Sequence, residues 1–404
     1  MKCGLLGRHL AHSYSPQIHS YLGSYPYEIY EQEPEALENF LKNGDFTGIN
    51  VTIPYKKDVI PYLDELSDTA KKLGAVNTIV RRGGKLIGHN TDYFGFSSMV
   101  VRSGLRVSGK KVLVLGSGGA SNTAVAVLNE MGAQVIVISR AGDNHYGNLH
   151  LHKDTAVIVN ATPVGMYPSV GISPVDLEMF SELEGVLDIV YNPARTKLLM
   201  DAKRRGLVVE NGLWMLVAQA KESAQWFTGR PIDEGIIDRI HAALRRQMEN
   251  IILIGMPGCG KSTVAAALQT HLGRRAVDAD EEIVKEAGCS IPQIFAEGGE
   301  AAFRAIETQV LEKLGKESGL IIATGGGCVT REENYPPLHQ NGRIFWLQRD
   351  LERLPTDGRP LSQGGKLMDM YRIREPMYRR FADMSVDNNG SLEDTVRSIL
   401  ANLN

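Results

Sequence analysis

The segment Gly255-Met-Pro-Gly-Cys-Gly-Lys261-Ser262-Thr263 has the residue types and spacing of a phosphate-binding loop. Its glycines let backbone N–H groups curl around phosphate oxygens. Lys261 neutralises charge on the β and γ phosphates, and the Ser262 hydroxyl can ligate Mg²⁺. Gly258, Cys259, Gly260, Lys261, Ser262 and Thr263 are therefore candidate ATP contacts, with only small size required of Cys259. The apolar run Ile251-Ile-Leu-Ile254 before the loop reads as a strand and Ser262–His271 after it as a helix, which is the context such a loop needs.

A second glycine-rich turn, Gly116-Ser117-Gly118-Gly119-Ala120-Ser121, follows the apolar strand Lys110–Leu115. A helix over Asn122–Met131 and a strand over Gln134–Ile138 come next, so the turn opens a βαβ dinucleotide-binding unit. That second strand ends in Ser139-Arg140. An acidic residue there would hydrogen-bond an adenosine ribose 2′-hydroxyl and favour NAD, whereas a basic one favours the 2′-phosphate of NADP(H).

Both loops need sheets to hold them. Short strands at Glu28–Glu31, Gly48–Ile53, Asn77–Val80 and Lys85–Gly88 alternate with helical stretches at Glu33–Lys42 and Tyr62–Leu73. This predicts an α/β substrate domain over about 1–100. The dinucleotide unit then occupies about 101–212, with further strands at Ala156–Val159, Gly185–Val190 and Leu207–Val209. Helices at Gly212–Phe227 and Glu234–Met248 are expected to return to the first unit. The phosphate loop opens a last unit, 250–404, a P-loop α/β/α fold around a central parallel sheet, with almost no linker at Gln247–Asn250.

The 404-residue chain is long enough for two or three cores, with 43% hydrophobic and 23% charged residues. A net charge of −3 supplies no basic field, so nucleic acid is not the expected partner. No apolar run approaches a membrane span, and Met1–Arg8 shows no apolar stretch leading to a cleavage site. Four cysteines without CxxC spacing argue against zinc or a disulfide framework and fit a reducing cytoplasm. His9, His12, His19 and His89 form no metal-ligand pattern and are read as structural. A homo-oligomer is compatible with the sequence, which does not specify one.

Several blocks in order carry a resemblance over residues 1–245. They are Ser13-Tyr-Ser15-Pro-Gln-Ile-His19, Asn50-Val-Thr52-Ile-Pro54-Tyr-Lys56, Gly74–Thr78, Asn90-Thr-Asp92, Asp188–Pro193 and Asn211–Ala220. Together they resemble shikimate dehydrogenase. The resemblance implies that Ser13, Ser15, Asn50, Thr52, Asn77, Tyr191 and Gln219 contact the substrate, neutral donors suited to a hydroxylated carboxylate. Lys56 and Asp92 would complete that site and act in catalysis: carbonyl reduction by hydride needs a proton source, and a carboxylate can hold and tune an ammonium. Gly116–Ala120, Ser139, Arg140, Gly212 and Met215 would face the NADP(H). The chain departs from the family at Ser20, where asparagine is usual, at Trp214, and across Arg140–Asp154, where the short stretch Ala141–Asn148 replaces an Arg-containing loop and a full helix. The last departure predicts a loosely held adenosine end.

The second half carries Val277-Asp278-Ala-Asp280, Gly299-Glu300-Ala-Ala-Phe303-Arg304 with Glu307, Gly325-Gly326-Gly327, Arg359-Pro360-Leu361 and Arg374-Glu-Pro-Met-Tyr378. Over 250–404 this resembles shikimate kinase. The resemblance implies that Lys261 holds phosphates, that Ser262 and Asp278 serve Mg²⁺, and that Asp280 accepts the attacking hydroxyl's hydrogen bond. Arg304 and Arg374 would grip the substrate carboxylate, Gly325–Gly327 would allow close backbone approach, and Arg359 would act as a lid arginine over the transferring phosphate. The compact Asp350–Gly365 lid, with Leu361-Ser362 after Arg-Pro, predicts weaker ATP affinity or lower activity.

The two resemblances together imply a bifunctional enzyme that reduces 3-dehydroshikimate with NADPH and phosphorylates shikimate with ATP. The alternatives are an NAD-dependent quinate/shikimate dehydrogenase fused to a weak kinase, and a ligand-sensing regulator built from retired enzyme domains. Retention of Lys56, Asp92, Lys261, Asp280 and Arg304 argues against the regulator.

Overall fold

The computed structural model describes residues 1–10, 13–354 and 366–403. His12, Arg359, Pro360, Leu361, Ser362 and most of the expected lid lie outside the described residues. Backbone proximity divides the chain into two compact units. The first comprises Met1–Gly165, Ser173–Tyr191 and Leu198–Ala243, and the second Met166–Ile172, Asn192–Lys197 and Leu244–Asn404.

The first unit contains two sheets. In the first are β1 (Cys3–Gly7), β2 (Tyr27–Glu31), β3 (Gly48–Val51), β4 (Glu65–Leu66), β5 (Thr78–Arg82) and β6 (Lys85–His89), ordered β2-β1-β3-β5-β6-β4. β5 runs antiparallel to both β3 and β6, while β1 is parallel to its neighbours. Its core gathers Leu6, Ile49, Val51, Tyr55, Val76 and Ile79. Two features depart from the sequence-based expectation. β1 was not foreseen, because the five-residue run CGLLG shows no polar alternation; all five residues are buried, as in a central parallel strand. The helix expected over Tyr62–Leu73 begins only at Asp68. Asp64 pairs with Leu86 through its backbone and its carboxylate, drawing Glu65–Leu66 into the sheet. Ser67 then caps the helix by accepting from the Ala70 amide.

The second sheet holds β7 (Lys111–Leu115), β8 (Gln134–Ile138), β9 (Val157–Asn160), β10 (Gly185–Asp188) and β11 (Val208–Asn211), all parallel in the order β11-β10-β9-β7-β8. The chain reverses its direction of travel across the sheet at β7, so a crevice opens beyond the carboxyl ends of β7 and β9. The returning helix Leu213–Thr228 packs along helix Asp92–Ser103. That approach requires Gly95, since a Cβ there would lie 2.7 Å from the Met215 carbonyl oxygen.

The second unit is built on β12 (Asn250–Ile254), β13 (Ala276–Asp278), β14 (Ile321–Ala323), β15 (Gly342–Gln348) and β16 (Met384–Asp387). They form one parallel sheet ordered β13-β14-β12-β15-β16. β12 is central and buried throughout, so the loop after it emerges where the strand order reverses. No described helix is long and apolar enough to cross a membrane.

Candidate active sites

In the first unit, Lys56 lies in the turn that follows β3, its carbonyl accepting from the Val76 amide at 2.7 Å. Asp92 is the first residue of helix Asp92–Ser103, where the exposed N–H groups of the helix end favour a carboxylate. Lys56 Nζ donates to Asp92 Oδ2 at 2.5 Å, with side-chain exposures of 30% and 17%. The two side chains meet and are open enough to face a ligand.

Asn77 ends the loop before β5. Its Oδ1 receives the Thr91 amide at 2.7 Å and the Thr91 and Thr78 hydroxyls at 3.2 and 3.1 Å. A backbone N–H can only donate, so the amide is locked with Oδ1 inward. Its Nδ2 donates to no group among the described residues and remains for a ligand oxygen. Asn50 is different. Its Nδ2 meets the Asn77 carbonyl, Thr78 and Ser223, and its Oδ1 accepts from the Tyr27 hydroxyl at 2.8 Å. This amide is spent inside the protein. Gln219 accepts from Thr91 at 3.3 Å and rests its Nε2 on the Leu216 carbonyl at 2.9 Å.

Ser13 and Ser15 stand at the start of helix Ser15–Leu22, the Ser13 oxygen accepting the Ser15 amide at 3.1 Å. Between them Tyr14 meets Tyr191 edge-on, with centroids 6.2 Å apart, and burial raises the pKa of both phenols. Thr52 caps the turn carrying Lys56, its carbonyl accepting from Tyr55 at 3.0 Å. His19 stacks on Tyr27 at 4.0 Å and bonds Tyr25 through Nδ1, and burial lowers its pKa to about 3. It is a neutral core ring.

At the crevice of the second sheet, Ser117, Gly118 and Gly119 are exposed at the head of helix Gly119–Glu130. The Ser121 hydroxyl closes the turn on the Gly116 carbonyl at 2.7 Å. Arg140 is exposed and makes no ion pair among the described residues. Ser139 turns its hydroxyl to the Ala141 carbonyl, and the 3₁₀ turn Tyr146–His152, capped by His145, stands where a helix would. Gly212 starts helix Leu213–Thr228, and Met215 is buried in it. The Trp214 indole is committed to packing, donating to Ser98 at 2.8 Å beneath the Arg102 guanidinium. Ser20 forms a local bond, to the Gln17 carbonyl.

In the second unit, helix Lys261–Leu272 is entered through Gly260, with Gly258 and the buried Cys259 just before it. Lys261 Nζ rests on the Gly255 and Met256 carbonyls at 3.0 and 3.1 Å, folded back along the loop. The Ser262 hydroxyl donates to Asp278 Oδ2 at 2.5 Å, and Asp278 Oδ1 caps helix Ala279–Ala287 by accepting from Asp280 N. Thr263 lies exposed in the first turn of its helix. Arg304 donates to Glu307 at 2.8 Å and to Glu300 at 3.0 Å. Burial raises the pKa of the Glu307 carboxyl, and the charge of Asp280 adds to it.

The glycine triplet is the seam of this site. A Cβ on Gly325 would lie 2.8 Å from Glu307 Oε1 and 2.9 Å from Asp280 Oδ1. One on Gly326 would meet Pro257 at 2.7 Å, and one on Gly327 the Arg304 guanidinium at 2.1 Å. The Gly326 carbonyl accepts from Arg374 at 3.2 Å and from the Tyr378 hydroxyl. Asp280, Arg304 and Arg374 thus converge on one glycine ribbon. Tyr378 and Glu307 stood in the sequence motifs without a role. The i,i+4 spacing of Arg374 and Tyr378, one helical face, was the available signal. Thr78 and Thr91 likewise stood inside the sequence blocks without a role, while Tyr27 and Ser223 carried no signal.

Profiles of known families match both halves: the shikimate dehydrogenase substrate binding domain over residues 5–79, and shikimate kinase over residues 257–404. A shikimate dehydrogenase (NADP(+)) of Clostridium perfringens is 34% identical over 264 residues, covering 60% of this chain and 97% of the relative. The crystal structure of shikimate dehydrogenase 1 from Peptoclostridium difficile matches at a TM-score of 0.56 and 38% identity, covering 60% of this chain and 98% of that one. A Thermus thermophilus shikimate 5-dehydrogenase, solved with NADP(H) and shikimate, matches at 0.55 and 32%, covering 60% and 99%. Neither the NAD-dependent alternative nor the regulator is favoured by these relatives. The chain belongs to the shikimate dehydrogenase family, and its second half is a shikimate kinase domain, which makes it a bifunctional enzyme of the shikimate pathway.

Proposed function

We propose that the chain reduces 3-dehydroshikimate to shikimate with NADPH and then phosphorylates the shikimate 3-hydroxyl with ATP. The observation that carries this reading is the Lys56–Asp92 pair at 2.5 Å beside the inward-locked amide of Asn77. NADPH supplies the hydride. The Lys56–Asp92 pair supplies the proton at the developing alkoxide, and Asn77 Nδ2 donates to a substrate hydroxyl. Ser13, Ser15, Thr52, Tyr191 and Gln219 complete the substrate pocket, Gln219 by turning its Nε2 from the Leu216 carbonyl. Asn50 backs the pocket from within the protein. Gly116–Ala120, Gly212 and Met215 line the cofactor crevice, where Arg140 is free to meet a 2′-phosphate.

In the kinase, Gly258–Thr263 cradles phosphates and Lys261 swings its ammonium from the loop carbonyls to the β/γ oxygens. Asp280 accepts from the attacking hydroxyl, Arg304 and Arg374 hold the carboxylate against Gly325–Gly327, and Arg359 belongs to the lid. Mg²⁺ fits Ser262 and Asp278, where it would neutralise phosphate charge. No cluster of three or more His, Cys, Asp or Glu is found among the described residues, so phosphate and water oxygens would have to supply most of the ion's ligands. We assign substrate binding to residues 1–100 with the helices of 213–247, the dinucleotide to 101–212 and phosphoryl transfer to 250–404. A cytoplasmic location accords with four free cysteines.

One coupled assay tests the whole reading. With 3-dehydroshikimate, NADPH, ATP and Mg²⁺, loss of NADPH absorbance should be followed by ADP. Normal NADPH oxidation without ADP would remove the kinase half, and no oxidation the dehydrogenase half.

A further inference from the structure

Ser223 lies one helical turn beyond Gln219 on helix Leu213–Thr228 and has no exposed surface. Its hydroxyl is in reach of the Gln219 carbonyl at 2.9 Å, Asn50 Nδ2 at 2.8 Å, and the Thr78 and Thr91 hydroxyls at 3.0 Å each. Every partner is, or adjoins, a candidate substrate residue. Thr78 follows Asn77, Thr91 precedes Asp92, and Asn50 stands two residues before Thr52 on β3. Thr78 and Thr91 in turn hold Asn77 Oδ1, and Thr91 reaches Gln219.

We infer that Ser223 is a positioning residue of the dehydrogenase site, the joint that sets the mutual geometry of Asn77, Asp92 and Gln219. A hydroxyl has one proton and two lone pairs. With the proton on the Gln219 carbonyl, the lone pairs take Asn50 Nδ2 and one threonine. One buried oxygen therefore ties helix Leu213–Thr228 to β3 and, through one threonine at a time, to β5 or the start of helix Asp92–Ser103. Tyr27 closes the far side, donating to Asn50 Oδ1 at 2.8 Å. Without the Ser223 oxygen, Asn50 Nδ2 keeps only its longer contacts, 3.1 Å to Thr78 and 3.3 Å to the Asn77 carbonyl. The threonine that gave its proton to Ser223 then turns it to Asn77 Oδ1 or Gln219 Oε1, which redistributes the bonds that fix those two amides. The cost falls on substrate alignment, because small misplacements of positioning groups are felt directly in substrate binding and rate.

The inference rests on the dehydrogenase reading above, and the full-length chain tests both. In Ser223→Ala, the KM for 3-dehydroshikimate should rise about tenfold, the size of one buried hydrogen bond. The KM for NADPH and the shikimate kinase activity of the same protein should stay within about twofold. Ser223→Thr, which keeps the hydroxyl, should restore the substrate KM. Ser223→Cys, close in size but a poor hydrogen-bond partner, should reproduce the alanine effect and carries the test if the alanine chain does not fold. An unchanged substrate KM in the alanine or cysteine chain would overturn the inference. So would an equal rise for NADPH, or a threonine chain as impaired as alanine. Absence of turnover by the unaltered chain would instead remove the dehydrogenase reading, and this inference with it.

Discussion

At the residue scale the two chemistries rest on separate cations. Lys56→Ala should lower dehydrogenase turnover by about 10²–10⁴-fold, the usual worth of a positioned proton donor, and leave shikimate phosphorylation intact. Lys261→Ala should do the reverse; loss of both activities in either chain would mean the two centres are not independent. His19 gives the first unit a pH dependence. Its pKa falls from 6.5 to about 3 on folding because burial penalises the charged ring. The unfolded chain therefore takes the proton first. Stability is complete above pH 6.5 and is lost as the pH falls from there toward 3, at about 1.4 kcal/mol per unit. His89, lowered to about 4 by burial, acts in the same direction over the upper part of that window. At pH 4.5 urea unfolding of the first unit should show a deficit of about 5 kcal/mol against pH 7.5, shared about equally between the two rings. His19→Gln should shrink it, and equal midpoints in the native chain would mean that the ring is not held neutral. Residue types such as Lys56, Asp92 and Asp280 were legible in the sequence because chemistry restricts which side chains can do the work. That Asn50 faces its neighbours was not legible, since an asparagine in a motif looks the same whichever way its amide points.

At the element scale the kinase site depends on backbones that approach too closely for side chains. Gly327→Ala would drive a methyl into the Arg304 guanidinium. The KM for shikimate should rise about 10–100-fold, the loss of one charge-assisted hydrogen bond or two neutral ones, with dehydrogenase kinetics unchanged. A normal kinase KM in that chain would show that Arg304 does not hold the substrate against the triplet. Elements with apolar runs and glycine punctuation were read from the sequence to within a few residues, as for β8, β12 and helix Leu213–Thr228. β1 and the two-residue β4 were missed for opposite reasons. β1 is too uniformly apolar to show a period, and β4 exists only because Asp64 reaches Leu86 across the sheet.

At the scale of the whole molecule, two consecutive reactions share one chain, and each has a complete set of candidate residues within its own unit. A 1:1 mixture of Lys56→Ala and Lys261→Ala chains should therefore convert 3-dehydroshikimate to shikimate 3-phosphate, with a lag while shikimate builds up in solution. Failure of the mixture, with each chain retaining its single activity, would mean that shikimate must stay with the chain that made it. The sequence by itself determined that there are two nucleotide-using folds, which family each resembles, and which residue types could do the chemistry. All of these are written in short, contiguous spacings. Only the tertiary structure decided how those residues are held. Asn50 and Ser223 lie 173 positions apart, and Gly326 and Tyr378 lie 52 apart. Local pattern encodes the conformation of a segment and the face it buries. Which donor meets which acceptor depends on the faces that packing brings together, and no spacing along the chain records that.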